Sequence, residues 1–189
     1  MAPSPVLIAF GSNIDPLNNL QRGLDLLHRL IGIQRVSTVW RSPALDDPER
    51  PEAEGKGGDY LNGVTMLHER AANFDPLQLR QCLRQVEHQC GRTRQAWRYA
   101  PRTLDLDITL MGSLVFAAEG IILPDPDLLV RPFIALPCAQ LAPDLVHPEK
   151  KVSLAALAQS LSAHPWDIQP DFEASSRLAT FSQGNPGNP

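Results

Sequence analysis

The stretch RYAPRTLDLDITLMG, residues 98–112, alternates apolar and acidic side chains at its centre. Successive side chains of a strand point to opposite sides. Leu104, Leu106 and Ile108 therefore share one face, and Asp105 and Asp107 share the other. Strand rise puts the two aspartate Cα atoms about 6.5–7 Å apart. The first face predicts a core-facing strand, and the second predicts two carboxylates side by side. Two hard oxygen donors so placed suit one or two Mg²⁺ ions that keep positions free for water and substrate phosphates. A bare Asp-x-Asp is also a common solvated edge. Its neighbours decide between the two: residues 92–102 carry Arg92, Arg94, Arg98 and Arg102 and no acid. Guanidinium forks match phosphate oxygens. Together, the carboxylates and the basic loop point to phosphoryl transfer.

Working outward, Val6–Phe10 predicts a buried strand that turns at Gly11-Ser12-Asn13. Leu17, Leu20, Leu24, Leu27 and Leu30 follow at helical spacing, with Asp15-Pro16 as N-cap and first-turn proline and Gly32 as stop. Ile33–Trp40 predicts a second strand and Tyr60–His68 a third. Asp75-Pro76 opens a second helix with Leu79, Leu83, Val86 and Cys90 along one face and Gly91 as stop. Glu87 falls near that inward face, where a carboxylate needs a partner or a purpose. After the 104–110 strand come a hairpin toward Ile121–Leu123 and helical segments over Val130–Leu136 and Leu154–Leu161. This order predicts an α+β fold, a largely antiparallel sheet with helices packed on its faces.

The segment Asp46–Asp59, DDPERPEAEGKGGD, has no periodic apolar face and reads as a mobile loop, either a surface insertion or a lid. From Pro165 onward the pattern is lost. The chain is thus expected to form one domain over residues 1–164 and a tail over 165–189, part of it disordered.

With 189 residues and 43% hydrophobic content, the chain can bury a sizeable core. Its net charge of −4 argues against a general nucleic-acid binder, which needs a basic footprint. Three cysteines with no CxxC fit a reducing compartment. No segment approaches a membrane span, and no secretory leader is seen at the start, so a cytoplasmic protein is expected. Neither a P-loop nor a G-x-G-x-x-G is present, so ATP must be held by another architecture.

With these residues assembled, the chain resembles the 6-hydroxymethyl-7,8-dihydropterin pyrophosphokinase family of folate biosynthesis, over about Val6 to Leu161. The resemblance is carried by PRTLDLD (101–107), GSN (11–13), RSPAL (41–45), YLN (60–62), VEHQCGRTR (86–94) and RPFIALPCAQLAPDL (131–145). It implies a ferredoxin-like α/β sandwich. It also implies a Mg-dependent 2-amino-4-hydroxy-6-hydroxymethyldihydropteridine diphosphokinase that moves pyrophosphate from ATP to the pterin and releases AMP. Two Mg²⁺ ions would be held by Asp105 and Asp107. The pterin would meet Ser42, Pro43, Leu45, Tyr60, Asn62 and Phe133, the last stacking on the ring. ATP would meet Glu87, Arg92, Arg94, Arg102 and Arg131, with Arg92 and Arg102 catalytic beside the two aspartates. The partners implied are these small molecules, with neither nucleic acid nor membrane, and a monomer.

The sequence departs from the family pattern at Pro124-Asp125, where a histidine is usual after the proline, and at Tyr99-Ala100, where Trp-Gly is usual. An anion at 125 is unfavourable near phosphates unless it faces metal or solvent. The alternative these departures leave open is a non-catalytic pterin- or nucleotide-binding paralogue. A single-strand RNA module is a third class, disfavoured by the acidic balance.

Overall fold

The structure, a computed structural model, describes residues 4–44, 58–93, 100–162 and 167–182. Most of the predicted loop at 46–59 lies outside those residues. The elements run β1 (Val6–Ser12), α1 (Pro16–Leu30), β2 (Ile33–Val36), β3 (Val39–Ser42), β4 (Tyr60–Leu67), α2 (Pro76–Gln89) and β5 (Asp105–Met111). After these come β6 (Phe116–Ala118), β7 (Ile121–Leu123), α3 (Pro132–Leu141), α4 (Leu154–Ser162), β8 (Gln169–Asp171) and α5 (Phe172–Leu178).

The main sheet has the order β5-β1-β4-β3-β8, with β2 also on β4, and every pairing is antiparallel. β6 and β7 form a separate hairpin. Strand alternation divides the core between two faces. Val6, Ile8 and Phe10 of β1 and Leu106 and Ile108 of β5 pack with the leucines of α1 and α2 and with Ala174 and Leu178 of α5. Leu7 of β1, Val64 and Met66 of β4 and Leu110 of β5 pack under α3 and α4. The expected α+β sandwich is what forms.

Local chemistry explains the element ends. Asp75 caps α2 by a reciprocal box with Gln78, and Gly32 and Gly91, both at positive φ, follow the two long helices. Asp15 precedes Pro16 as expected but makes no side-chain cap bond; its carboxylate instead accepts from Asn18 Nδ2 at 3.0 Å. The single strand expected over Ile33–Trp40 is two strands. At the break, Val64 N donates to Ser37 Oγ at 2.9 Å, so a hydroxyl replaces a ladder carbonyl and the chain turns. The helix expected from Val130 starts at Pro132 and runs to Leu141, because Val130 ends a 3₁₀ turn over Pro126–Leu129. Pro132 sits in the first helical turn, where its missing N–H costs nothing.

The expectation that pattern is lost from Pro165 is corrected. Residues 169–171 add β8 to the outer edge of β3, and α5 drives Ala174 and Leu178 into the α1 side of the core. No helix among the described residues is long and apolar enough to cross a membrane.

Candidate active site

A pocket opens at one end of the sheet, on the α3 side. Register explains what it collects. Gly11 of β1 lies opposite Asn62 of β4 on one side and Asp105 of β5 on the other. Ala9 lies opposite Asp107, and Ser42 opposite Tyr60. Paired residues share a face, so one surface carries Asp105, Asp107, Asn62, Tyr60 and Ser42, and all five line the pocket. Arg131, Phe133 and Ile134 from the start of α3 form the facing wall, and Arg102 closes the β5 side. Gly11 keeps the floor open: a Cβ there would stand 3.0 Å from Asn62 Oδ1.

The expected pterin residues are brought together. Asn62 Nδ2 donates to Ser42 Oγ at 3.0 Å, locking two side chains of adjacent strands. Pro43, Tyr60 and Phe133 complete an aromatic and apolar slot beside them. Burial pushes the Tyr60 phenol up, so it remains protonated and able to donate. Leu45 lies outside the described residues.

At the other end of the pocket is a charge network. The Arg92 Nη1 group donates to Glu87 Oε1 at 2.6 Å, to the Leu104 carbonyl at 3.0 Å and to the Asp105 carboxylate. Arg102 Nη1 bonds the second Asp105 oxygen. Glu87 Oε1 also accepts from Leu106 N at 2.9 Å, tying α2 to β5. Glu87 is 3% exposed and, like Arg92, stands one layer behind the pocket rather than lining it. The inward carboxylate thus has its partner in Arg92. Arg94 lies outside the described residues.

Backbone bonds seat Arg102. Its N–H donates to Asn13 Oδ1 at 2.7 Å, its carbonyl accepts from Asn13 N at 3.1 Å, and Ser12 Oγ donates to the Thr103 carbonyl at 2.7 Å. The Gly-Ser-Asn turn therefore clamps the start of the Asp-x-Asp strand, a role that its spacing in the sequence does not announce.

The two aspartates differ sharply in their electrostatics. Burial alone would raise Asp105, but Arg102 and Arg92 outweigh it and hold the carboxyl below the usual range. Asp107 is pushed up to about 7 by burial and then by Asp105, Asp125 and Glu87. Its side chain remains open to pocket solvent, which tempers that rise and leaves it reachable. Asp125 is pushed up to about 6, chiefly by burial, and its carboxylate accepts from Asp127 N at 2.9 Å, capping the 3₁₀ turn. That capping role gives the departure at 125 a structural use.

Sequence reasoning missed Asp127, which lines the pocket with one oxygen 3.9 Å from Arg131 Nε. The i,i+4 spacing of Asp127 and Arg131 was the available signal. Arg131 Nε is buried and lacks a hydrogen-bond partner among the described residues, so it is poised for an acceptor. Ala9, Phe10, Ala44 and Gly63 also line the pocket without having been singled out for it.

Residues 7–143 match the family described as 7,8-dihydro-6-hydroxymethylpterin-pyrophosphokinase. The chain is 31% identical over 185 residues to a Synechocystis 2-amino-4-hydroxy-6-hydroxymethyldihydropteridine pyrophosphokinase, covering 96% of this chain and 89% of that protein. It is 33% identical over 165 residues to the Pseudomonas aeruginosa protein of the same name, covering 86% and 93%. Among solved structures, wild-type Plasmodium falciparum HPPK-DHPS aligns with TM-score 0.63 at 12% identity, which speaks for the fold alone. That alignment covers 85% of this chain and 45% of the Plasmodium chain, so this chain spans less than half of that longer protein.

Proposed function

The chain belongs to the 7,8-dihydro-6-hydroxymethylpterin-pyrophosphokinase family, and we propose that its pocket performs the family's reaction with a pterin wall and a phosphate wall set side by side. The activity is transfer of pyrophosphate from ATP to 6-hydroxymethyl-7,8-dihydropterin, with release of AMP, in folate synthesis. The observation that carries the assignment of walls is the register of Gly11 between Asn62 and Asp105. Two strand spacings separate those residues, about 10 Å. A pterin ring held at Asn62 can therefore present its hydroxymethyl group toward the aspartates.

On the pterin wall, Asn62 offers an amide that both donates and accepts, and Ser42 fixes how it points. Phe133 and Tyr60 supply aromatic surface for the flat ring. The chemistry asks little covalent work of the protein. The pterin hydroxyl oxygen attacks the ATP β-phosphorus, the bond to the α-phosphate bridging oxygen breaks, AMP departs, and the hydroxyl proton is lost. What remains is positioning and charge stabilisation. Arg102 lines the pocket beside Asp105, Arg92 backs it, and Arg131 faces them with a free Nε–H among the described residues. Arg102 and Arg131 are thus the phosphate donors of the pocket, and Arg92 holds Asp105 in place behind them.

The donor chemistry fits Mg²⁺. Asp105 and Asp107 give hard oxygen ligands, and a divalent cation would offset both the burial and the neighbouring carboxylates that raise Asp107. Asp105 and Asp107 would be the protein's ligands, and phosphate and water oxygens would supply the rest. Bound there, the two ions would neutralise phosphate charge and bridge it to the aspartates.

The test is direct. Purified protein is incubated with Mg²⁺, ATP and the hydroxymethyl pterin, and nucleotides are separated by chromatography. Pterin-dependent AMP is expected from the wild type and none from Asp105→Ala or Asp107→Ala. Full activity in either variant would remove the assigned metal role.

A further inference from the structure

We infer that the C-terminal β8–α5 segment is a clasp that positions the pterin wall, through an ion pair between Arg41 and Asp171. The inference rests on the reading of Ser42, Pro43 and Asn62 as pterin residues. β8 and α5 lie beyond the 7–143 span of the family match.

β3 has only four residues, and Ser42, Pro43 and Ala44 of the pocket lie at or just past its end. On one side β4 holds it. On the other, without β8, it would be an open edge, where short strands fray. β8 covers that edge at Val39, Trp40 and Arg41, opposite Asp171, Pro170 and Gln169. The cover stops one residue before Ser42. β8 is only three residues long, and side chains supplement its cover.

They do so at both ends of β3. Val39 N donates to Ser175 Oγ at 2.9 Å, and Arg41 Nη2 meets Asp171 Oδ2 at 2.6 Å. Arg41 Nη1 also lies 4.0 Å from Asp59, which immediately precedes β4. One guanidinium therefore links the exit of β3, the entry of β4 and β8. Asp171 is itself fixed: its other oxygen accepts from Ala174 N at 2.9 Å, capping α5, whose Ala174 and Leu178 are anchored in the core. Rigid burial of α5 is thus carried through Asp171 and Arg41 to the residue beside Ser42. Arg41 shares a face with Leu61, its β4 partner, which packs in the α1-side core. It therefore acts through the backbone as a positioning residue and does not touch the pterin.

Steady-state kinetics on the full chain test this, varying pterin at saturating ATP and then ATP at saturating pterin. Arg41→Met and Asp171→Asn each raise the pterin KM about three- to fivefold, the scale of a partly exposed ion pair. The ATP KM and kcat stay within about twofold. The double variant is no worse than Arg41→Met, since both remove one interaction. Asp171→Asn keeps an acceptor for the α5 cap, which separates loss of the pair from loss of the helix. Arg41→Lys restores much of the affinity. An unchanged pterin KM in Arg41→Met overturns the inference, even with a lowered melting temperature, as does an ATP KM that rises in step. Asn62→Ala, measured alongside, judges the pterin wall itself: if it leaves the pterin KM alone, that reading fails whatever Arg41 does.

Discussion

Asp105 and Asp107 stand two positions apart on the same face of β5, yet Asp105 is held low by Arg102 and Arg92 against its burial while burial and neighbouring carboxylates push Asp107 up to about 7. One aspartate already has its positive partners. The other has none strong enough, and of the two pocket-lining carboxyls it is the more exposed. The two carboxyls therefore meet unequal fields, one balanced by two guanidiniums and the other crowded by acids.

That asymmetry sets a pH dependence. A carboxyl raised in the folded state stabilises the fold while protonated, and that contribution is lost as pH climbs through the folded value. For Asp107 the window runs from its ordinary value of 3.8 to about 7. Asp125, raised to about 6, adds to the same trend. Asp105, held low, contributes stability above the ordinary carboxylate range that is lost in acid. Asp107→Asn is therefore expected to melt about 1–3 °C above the wild type at pH 8, a gap that closes toward pH 4. Mg²⁺ with ATP should raise the wild type at pH 8 more than the variant. Thermal melts across pH check both statements, and a wild type more stable than the variant at pH 8 contradicts them.

Glu87 was expected to meet ATP, but its place behind Asp105 gives a structural expectation. Its Oε1 serves both Arg92 Nη1 and Leu106 N, and it is 3% exposed. Glu87→Ala leaves Arg92 with reduced compensation and strands the Leu106 donor. The cost is about 3 kcal/mol, or roughly 6–12 °C in melting temperature for a chain of this size. Glu87→Gln keeps an acceptor for Leu106 and should lose less than half as much. Calorimetry on both variants decides. Equal losses would mean that charge, and not the hydrogen bond to β5, is what matters.

Much of this arrangement could be read before the fold was seen, and the reasons are physical. β5 alternates with period two over residues with unmistakable chemistry, so both its faces were assigned correctly. The long helices carry their own caps and leucine stripes. The failures share one trait: the deciding contact is remote. Ser37 breaks a strand only because Val64 comes to its hydroxyl. β8 is the tripeptide Gln-Pro-Asp, with no apolar alternation, held by Arg41 across 130 positions. Asp127 joins the pocket because a 3₁₀ turn capped by Asp125 aims it there. Local propensity carries none of this. Leu45 and Arg94 fall outside the described residues, so the resemblance alone speaks for them.

Asn62 should separate the two substrates. Its amide is oriented by Ser42 Oγ at 3.0 Å and stands two strands from Asp105. Asn62→Ala removes the amide on which the proposed pterin wall rests, without touching Arg102, Arg131 or the aspartates. The pterin KM is expected to rise about tenfold, the worth of one good buried hydrogen bond, with the ATP KM unchanged. Isothermal titration with each ligand separately gives the same comparison without turnover. A matched loss for ATP would place Asn62 on the wrong wall.

Gly11 offers the sharpest probe of the shared floor, because it lies between both walls. A methyl group there would sit 3.0 Å from Asn62 Oδ1 and 3.7 Å from Tyr60 Cδ1, while Leu61 O is 4.0 Å away. The two nearest atoms both belong to the pterin side. Asn62 must yield by a few tenths of an ångström, which tilts its amide away from Ser42. Gly11→Ala is therefore expected to keep the fold, costing at most about 1–3 kcal/mol from overpacking. It should raise the pterin KM several-fold and spare the ATP KM, since nothing of Asp105 or Arg102 is in reach of the new methyl. Adding Asn62→Ala to Gly11→Ala should remove most of the difference between glycine and alanine at 11, because the clash partner is gone. If Gly11→Ala instead weakens ATP and leaves pterin binding intact, the floor is shared the other way round and the walls must be exchanged.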